Sequence, residues 1–314
     1  MRDEFVIRLL LVAAFAVLVA GPCEGQVVNS IGEENMKIEQ GMKPQPKKAE
    51  SPYIADLDTE TPYFQYIDSA QTYIYSHDWA IAERWLYKAF TSDPTNPNNS
   101  LVLSNIATLQ RYQGRLADAV KNYTLALDMA PQAVTLLLNR AALYVEMDST
   151  SRAVNDYERV CLLDPYNTEA RYSLGVLVME GGDNRRAEDL FNEIKRINPN
   201  SGLYHEGMGL LHKRQGNFAR AAELFTQVIK VQPNVQLLGN RADCYLAIKR
   251  LNDAEDDIRT ALEMDPGDPY LYLLRAKLNK LRFQRDDMER DIEQAVALGL
   301  SRDYINSQLG EQER

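Results

Sequence analysis

Hydrophobic and polar residues follow three regimes along this chain. Leu9–Ala20 (LLLVAAFAVLVA) is an unbroken apolar run. From Gln26 to about Glu60 no hydrophobic period appears, and Met42–Pro52 (MKPQPKKAESP) is rich in proline and lysine. From about Tyr63 onward, apolar residues recur with helical spacing, in stretches that end at a proline as far as Pro266. The pattern predicts an all-α body of short helices behind a leader that builds no core of its own.

The prolines set the period. Pro94, Pro131, Pro165, Pro199, Pro233 and Pro266 recur at intervals of about 34 residues, the first gap slightly longer than the rest. A proline lacks the backbone N–H and disfavours helix at the residue before it, so each ends one helix ahead of the next. Aligned on these prolines, other columns emerge. Twelve positions earlier stand Ala82, Ala119, Ala153, Ala187, Ala221 and Ala254; twenty-four earlier stand Ala70, Ala107, Ala141, Gly175, Gly209 and Ala242. Small side chains at both places let two antiparallel helices approach closely. Eight before each proline lies a larger residue, Leu86, Tyr123, Tyr157, Phe191, Phe225 or Ile258, sized to fill the space between neighbouring pairs. Gly114, Gly182 and Gly216 fall at the turn between paired helices, where positive φ costs glycine nothing, and His77 takes that place in the first repeat.

These columns resemble the tetratricopeptide repeat, a helix–turn–helix unit of about 34 residues. The segments LSNIATLQRYQGRLADAVKNYTLALDMAP, LYHEGMGLLHKRQGNFARAAELFTQVIKVQP and LLGNRADCYLAIKRLNDAEDDIRTALEMDP carry the likeness most clearly. It implies seven repeats over 63–302, at about 63–96, 100–133, 134–167, 168–201, 202–234, 235–268 and 269–302. The seventh keeps Ala276, Met288, Ile292 and Ala295 without a terminal proline. Residues 301–314 are expected to form a polar cap, which the ends of a repeat array need for solubility. The implied fold is an all-α, right-handed superhelical solenoid. Thr95–Ser100 (TNPNNS) lengthens the first junction, as a plain insertion, a bend or a contact.

The apolar run near the N-terminus is well short of the roughly 20 residues that span a bilayer, but it suits the apolar segment of a signal peptide. Cys23 and Gly25 place cleavage before Gln26, giving a signal peptide over 1–25 and a tether over 26–62 stiffened by Pro44 and Pro46. Cys23 also reads as the lipid-bearing cysteine of a bacterial lipoprotein, although Pro22 stands where that site wants a small residue. Lipidation or an uncleaved signal would be the only link to a membrane. Export is the expectation, with a bacterial periplasm or cell envelope favoured by the short signal and the lack of a disulfide framework.

Composition narrows the function. The chain has 314 residues with Lys+Arg 35 against Asp+Glu 45, a net charge of −10, which argues against a nucleic-acid partner. No phosphate-binding loop, dinucleotide fingerprint, HExxH or CxxC motif occurs. His205 and His212 lie seven apart on one helix face, about 10.5 Å, too far to share one zinc. They are expected to pack as core residues. Cys161 and Cys244 fall in repeats three and six, which should not meet, so both are expected as free thiols. No catalytic residue, metal or cofactor is expected.

The resemblance implies an inner face lined by the first helix of each repeat, where relatives hold an extended peptide or a partner helix. The positions expected there include Ser104, Asn105 and Tyr112, then Asn139, Tyr172, Asn240 and Tyr270. Asn105, Asn139 and Asn240 share one column, and an Asn amide donates to and accepts from a peptide backbone at once. Ser173 and Gly207 interrupt that ladder. The neighbours expected around Asn240 (Glu206, Leu210, Tyr270 and Leu274) include no cation, so the family's clamp for a peptide's terminal carboxylate is not expected. The reading is a noncatalytic protein–protein interaction scaffold or adaptor of the cell envelope with a protein or peptide partner. The alternatives are an exported holdase for unfolded clients and, from another class, an enzyme with an unrecognised site.

Overall fold

A computed structural model describes residues 61–310; the expected signal peptide with Cys23, residues 26–60 of the expected tether, and residues 311–314 lie outside the described residues. Fifteen helices and no strand occur among the described residues, divided into two compact units at Pro165 and Tyr166.

The first unit holds three antiparallel pairs: α1 (Pro62–Tyr75) with α2 (Trp79–Ser92), α3 (Asn99–Tyr112) with α4 (Leu116–Met129), and α5 (Val134–Glu146) with α6 (Thr150–Leu163). The second holds four: α7 (Thr168–Glu180) with α8 (Asn184–Ile197), α9 (Gly202–Arg214) with α10 (Phe218–Ile229), α11 (Val235–Ala247) with α12 (Leu251–Met264), and α13 (Pro269–Leu281) with α14 (Arg285–Ala297). A last helix, α15 (Arg302–Leu309), packs on α14. Within each unit successive pairs stack, and first helices of the second unit also touch directly, α7 on α9 and α11 on α13.

The turns explain the pairing. Within a pair one residue adopts a left-handed backbone: Gly114, Gly182 and Gly216 at φ 74°, 96° and 80°, but also His77, Asp148, Lys249 and Phe283 at 53–64°. Four side-chain-bearing residues therefore adopt a conformation that costs a non-glycine residue on the order of 1 kcal/mol, which the packing on either side offsets. Between pairs, helices α2, α4, α6, α8 and α12 end two residues before the repeat proline. Asn167, Asn234 and Asp268 then cap the next helix by accepting from Ala170, Leu237 and Tyr270 backbone N–H groups at 2.8–2.9 Å.

Packing follows the small and large columns. Ala82, Ala119, Ala153, Ala187, Ala221 and Ala254 are fully buried, and so are the knobs Phe191 and Phe225. Glycine is required where these rings press closest. A Cβ on Gly207 or on Gly175 would lie 2.5 Å from the Phe191 ring, and one on Gly209 would lie 2.7 Å from Phe225. Phe191 is thus held from two sides, by α7 of its own pair and α9 of the next. This accounts for Gly207 in the column that carries Asn elsewhere.

A second device recurs in three repeats. Arg140 on α5 clasps Asp156 on α6 with two bonds of 2.8 Å, Arg241 on α11 clasps Asp257 on α12 at 2.6 and 2.8 Å, and Arg275 on α13 reaches Asp291 on α14. Arg140 and Arg241 donate further to Thr124 and Thr226 of the preceding pair and lie over Tyr144 and Tyr245. In the other repeats of the second unit the same two columns are apolar, Leu174 with Leu190 and Met208 with Leu224.

The inserted residues after Pro94 are ordered by Asn99, which is fully buried. Its amide donates to the Asp93 carbonyl at 2.8 Å and its Oδ1 accepts from the Tyr63 hydroxyl at 3.2 Å, so the loop is stitched to α1. At the other end, Ile305 and Leu309 of α15 close the apolar cluster around Leu273, Met288 and Ile292.

Two outcomes follow from this packing. Asp257→Ala strands a half-buried guanidinium and should cost about 3 kcal/mol in urea denaturation. The double change Arg241→Met with Asp257→Leu copies the apolar repeats and should fall within about 1 kcal/mol of wild type. Gly207→Ala should destabilise despite a helix-propensity gain of about 1 kcal/mol, because overpacking against a trapped ring costs about 1–3 kcal/mol. In a Phe191→Leu background the same Gly207→Ala change should be neutral or stabilising.

Candidate peptide-binding face

Each unit presents a face built from first helices, and the residues expected to bind divide between them. In the first unit Ser104, Asn105 and Tyr112 project from α3 and Asn139 from α5. Asn105 and Asn139 are half-buried. Asn105 has no hydrogen bond among the described residues, and Asn139 keeps its amide nitrogen covered and unpaired. An unmet buried donor costs about 1–3 kcal/mol, so this amide adds nothing to stability as it stands. Tyr112 stacks on Trp79 at 5.3 Å between ring centroids and stays 39% exposed. Ser104 sits instead inside the helix packing at 4% exposed, so its hydroxyl is withdrawn from the open face. Beside Tyr112, Arg111 makes a bidentate pair with Glu146 at 2.6–2.9 Å, joining α3 to α5.

In the second unit the face is charged. The Tyr172 hydroxyl on α7 donates to Glu206 Oε1 on α9 at 2.8 Å. Burial, with the Glu206 charge beside it, pushes the Tyr172 phenol well up, so it stays a donor at neutral pH. Burial also raises the Glu206 carboxyl, and the Tyr172 bond offsets this only in part. No cation pairs with Glu206 among the described residues.

Two turns further along α9 the balance reverses. Lys213 Nζ lies 2.8 Å from Asp243 Oδ2 and donates to Asn240 Oδ1 at 2.9 Å. Lys277 on α13 approaches the other Asp243 oxygen at 3.3 Å, and the Tyr270 hydroxyl donates to Asp243 at 3.3 Å. Asn240 and Tyr270 are thus brought together through Lys213 and Asp243. The expectation that Asn240 has no cationic neighbour is corrected here. Lys213, two turns beyond Glu206 on α9, has a side chain long enough to reach Asn240 across the seam. The asparagine column is therefore not uniform, because the Asn240 carbonyl is already engaged.

Burial raises the Asp243 carboxyl, but the ammoniums of Lys213 and Lys277 and the bonds they donate outweigh it and hold it at about 2. Burial also works against the Lys213 ammonium; the oxygens of Tyr270 and Asp243 beside it prevail and leave its pKa raised. Lys213, Asp243 and Lys277 are not among the candidate binding positions singled out from the sequence. Asp243 and Lys277 share one column of the repeat and Lys213 lies three positions further along it, a signal that a helical net would have joined.

The remaining groups offer little chemistry. His205 Nδ1 lies 3.0 Å from the Ser201 carbonyl and His212 Nδ1 lies 3.5 Å from Asn217 Nδ2, both half-buried rather than in the core. Cys161 and Cys244 form no disulfide with each other, and burial pushes the Cys244 thiol up to about 12. No group of three or more His, Cys, Asp or Glu is placed to hold a metal ion among the described residues.

Stacked antiparallel pairs with small-residue seams, repeating at one interval, define an α-solenoid of helix–turn–helix repeats. The tetratricopeptide repeat family model matches residues 140–202 and 207–269. A tetratricopeptide repeat protein from Parabacteroides merdae is 30% identical, with a TM-score of 0.69 over 80% of this chain and 98% of that one. The chain belongs to the tetratricopeptide repeat family. Two structures with lower identity share the fold: the APC/C hetero-tetramer Cut9–Hcn1, 13% identical with a TM-score of 0.62 over 82% of this chain and 56% of that one, and Pseudomonas aeruginosa pilF, 16% identical with a TM-score of 0.54 over 69% and 97%. No curated protein matches the chain. Proteins of this family are in general noncatalytic scaffolds that bind protein partners.

The Asp243 cluster makes a pH-dependent contribution of defined sign. Its folded pKa is depressed, so its stabilisation is present above the unfolded carboxylate value and is lost as pH falls through about 2. Asp243→Asn should cost on the order of 2 kcal/mol at pH 7 by urea denaturation, and the difference from wild type should shrink as pH falls below about 4.

Proposed function

We propose that this protein is a noncatalytic scaffold or adaptor that holds a peptide or partner protein on its first-helix faces, and that it works in the cell envelope after export. The observation that carries the reading is unspent hydrogen-bonding capacity on the face of the first unit: Asn105 without a partner and Asn139 with an unpaired amide. They project from adjacent first helices, α3 and α5, so they can hold two points of one extended backbone. Tyr112 and Trp79 add a half-exposed aromatic surface beside them, the kind of side chain that dominates protein interfaces. The family's general role as a protein-binding scaffold supports the same conclusion. Export rests on the apolar run Leu9–Ala20 and the cleavage pattern ending at Gly25; the periplasm is the compartment these features suit best.

The test is a cross-linked pull-down from native envelope extract with residues 26–314 as bait and Asn105→Ala with Asn139→Ala as control. The expected result is one dominant stoichiometric protein, reduced at least fivefold by the double variant while its melting temperature holds. A broad set of unrelated clients retained by both baits would replace the scaffold with a holdase. Undiminished capture of a single partner would leave a scaffold but remove the asparagine grip.

A further inference from the structure

The second unit carries an electrostatic imbalance that its own packing does not resolve. Glu206 is a half-buried carboxylate whose partner, the Tyr172 hydroxyl, is neutral. Lys213 and Lys277 are two half-buried ammoniums, with side chains 21% and 18% exposed, that share the single carboxylate of Asp243. One negative and one positive charge are thus left over on the same face. They do not cancel each other: Glu206 and Lys213 sit seven positions apart on α9, two turns or about 10.5 Å along the helix. A half-buried charge without a counter-ion is costly, and a partner that supplies both counter-ions recovers that cost on binding. Asn240, with its carbonyl held by Lys213, and Tyr270, held by Asp243, fix the basic end in place.

Building on the proposed role as a peptide-binding scaffold, we propose that the first-helix face of the second unit selects its partner by charge register. The occupant is an extended peptide segment with a basic side chain against Glu206 and an acidic side chain against Lys213 and Lys277. A peptide extended in the polyproline II conformation advances about 3.1 Å per residue with three residues per turn, so charges three residues apart lie on one side of it, about 9 Å apart, close to the gap on the face. Because Lys213 and Lys277 are bound to Asp243 rather than free, the acidic side chain completes an existing cluster and is not its sole counter-ion.

The experiment uses the full chain and fluorescein-labelled nonapeptides of one neutral backbone. They carry Lys and Glu three residues apart in either order, Lys alone, Glu alone, or neither, and binding is read by anisotropy at 50 and 300 mM salt. The expected result is that one order of the Lys/Glu peptide binds at least tenfold tighter than the neutral peptide, and that this preference falls with salt. Glu206→Gln should abolish the benefit of the lysine alone, and Lys277→Gln should weaken the benefit of the glutamate alone, each by about fivefold. Lys277→Glu should bind better when the peptide's Glu is exchanged for Lys, a gain that misfolding cannot produce. Equal binding of charged and neutral peptides overturns the charge register while leaving a peptide-binding face. Binding by none of the peptides also overturns it, and capture of the native partner in the pull-down separates that result from failure of the scaffold reading.

Discussion

Close approach of antiparallel helices is the constraint on which every other feature depends. Helices this short are marginal alone in water, and these persist because each buries a face against its neighbours. The burial works only if backbones come near enough for a single large side chain to fill each seam. Alanine at two fixed columns permits the approach, and Leu86, Tyr123, Phe191, Phe225 or Ile258 fills the space. Where the filler is phenylalanine, alanine is already too large, and Gly175, Gly207 and Gly209 are needed. The same constraint sets the period, because one turn, two helices and one proline-marked junction together make up one repeat.

Charge is arranged around that frame in two ways. On the side where paired helices meet their neighbours, Arg140–Asp156, Arg241–Asp257 and Arg275–Asp291 are matched one to one, with threonine or asparagine completing the shell. Removing one member leaves a charge stranded, whereas two repeats carry apolar residues at both positions, so the pair is expected to add little net stability over an apolar pair. On the first-helix face the matching is incomplete. Glu206 has only a phenol, two lysines compete for Asp243, and Asn139 has an amide to spare. These incompletely matched groups lie on the face proposed above for recognition.

The fold was legible in the chain because packing here is local and repeated. Each seam uses the same columns, so six copies of one pattern reinforce each other, and the paired-helix body follows from columns such as those of Ala119 and Phe225. Less was legible at the candidate face. The sequence marked Asn105, Asn139 and Asn240 as equivalent because they occupy one column, and the structure distinguishes them: Asn105 free, Asn139 unpaired at its nitrogen, Asn240 held by Lys213. Ser104 shared the same face by periodicity yet lies inside.

What the sequence determined by itself was the helix count per repeat, the small-and-large code of the seams, and the lack of any known catalytic or metal motif, because these depend on residues one repeat apart or less. What only the tertiary structure decided was which polar side chains find each other. Lys213, Asp243 and Lys277 come from three successive first helices, and whether they neutralise one another depends on the reach of flexible side chains across a seam. The left-handed turns at Asp148, Lys249 and Phe283 belong with them: no glycine marks these turns, and the packing on either side holds the same backbone in residues that do not favour it.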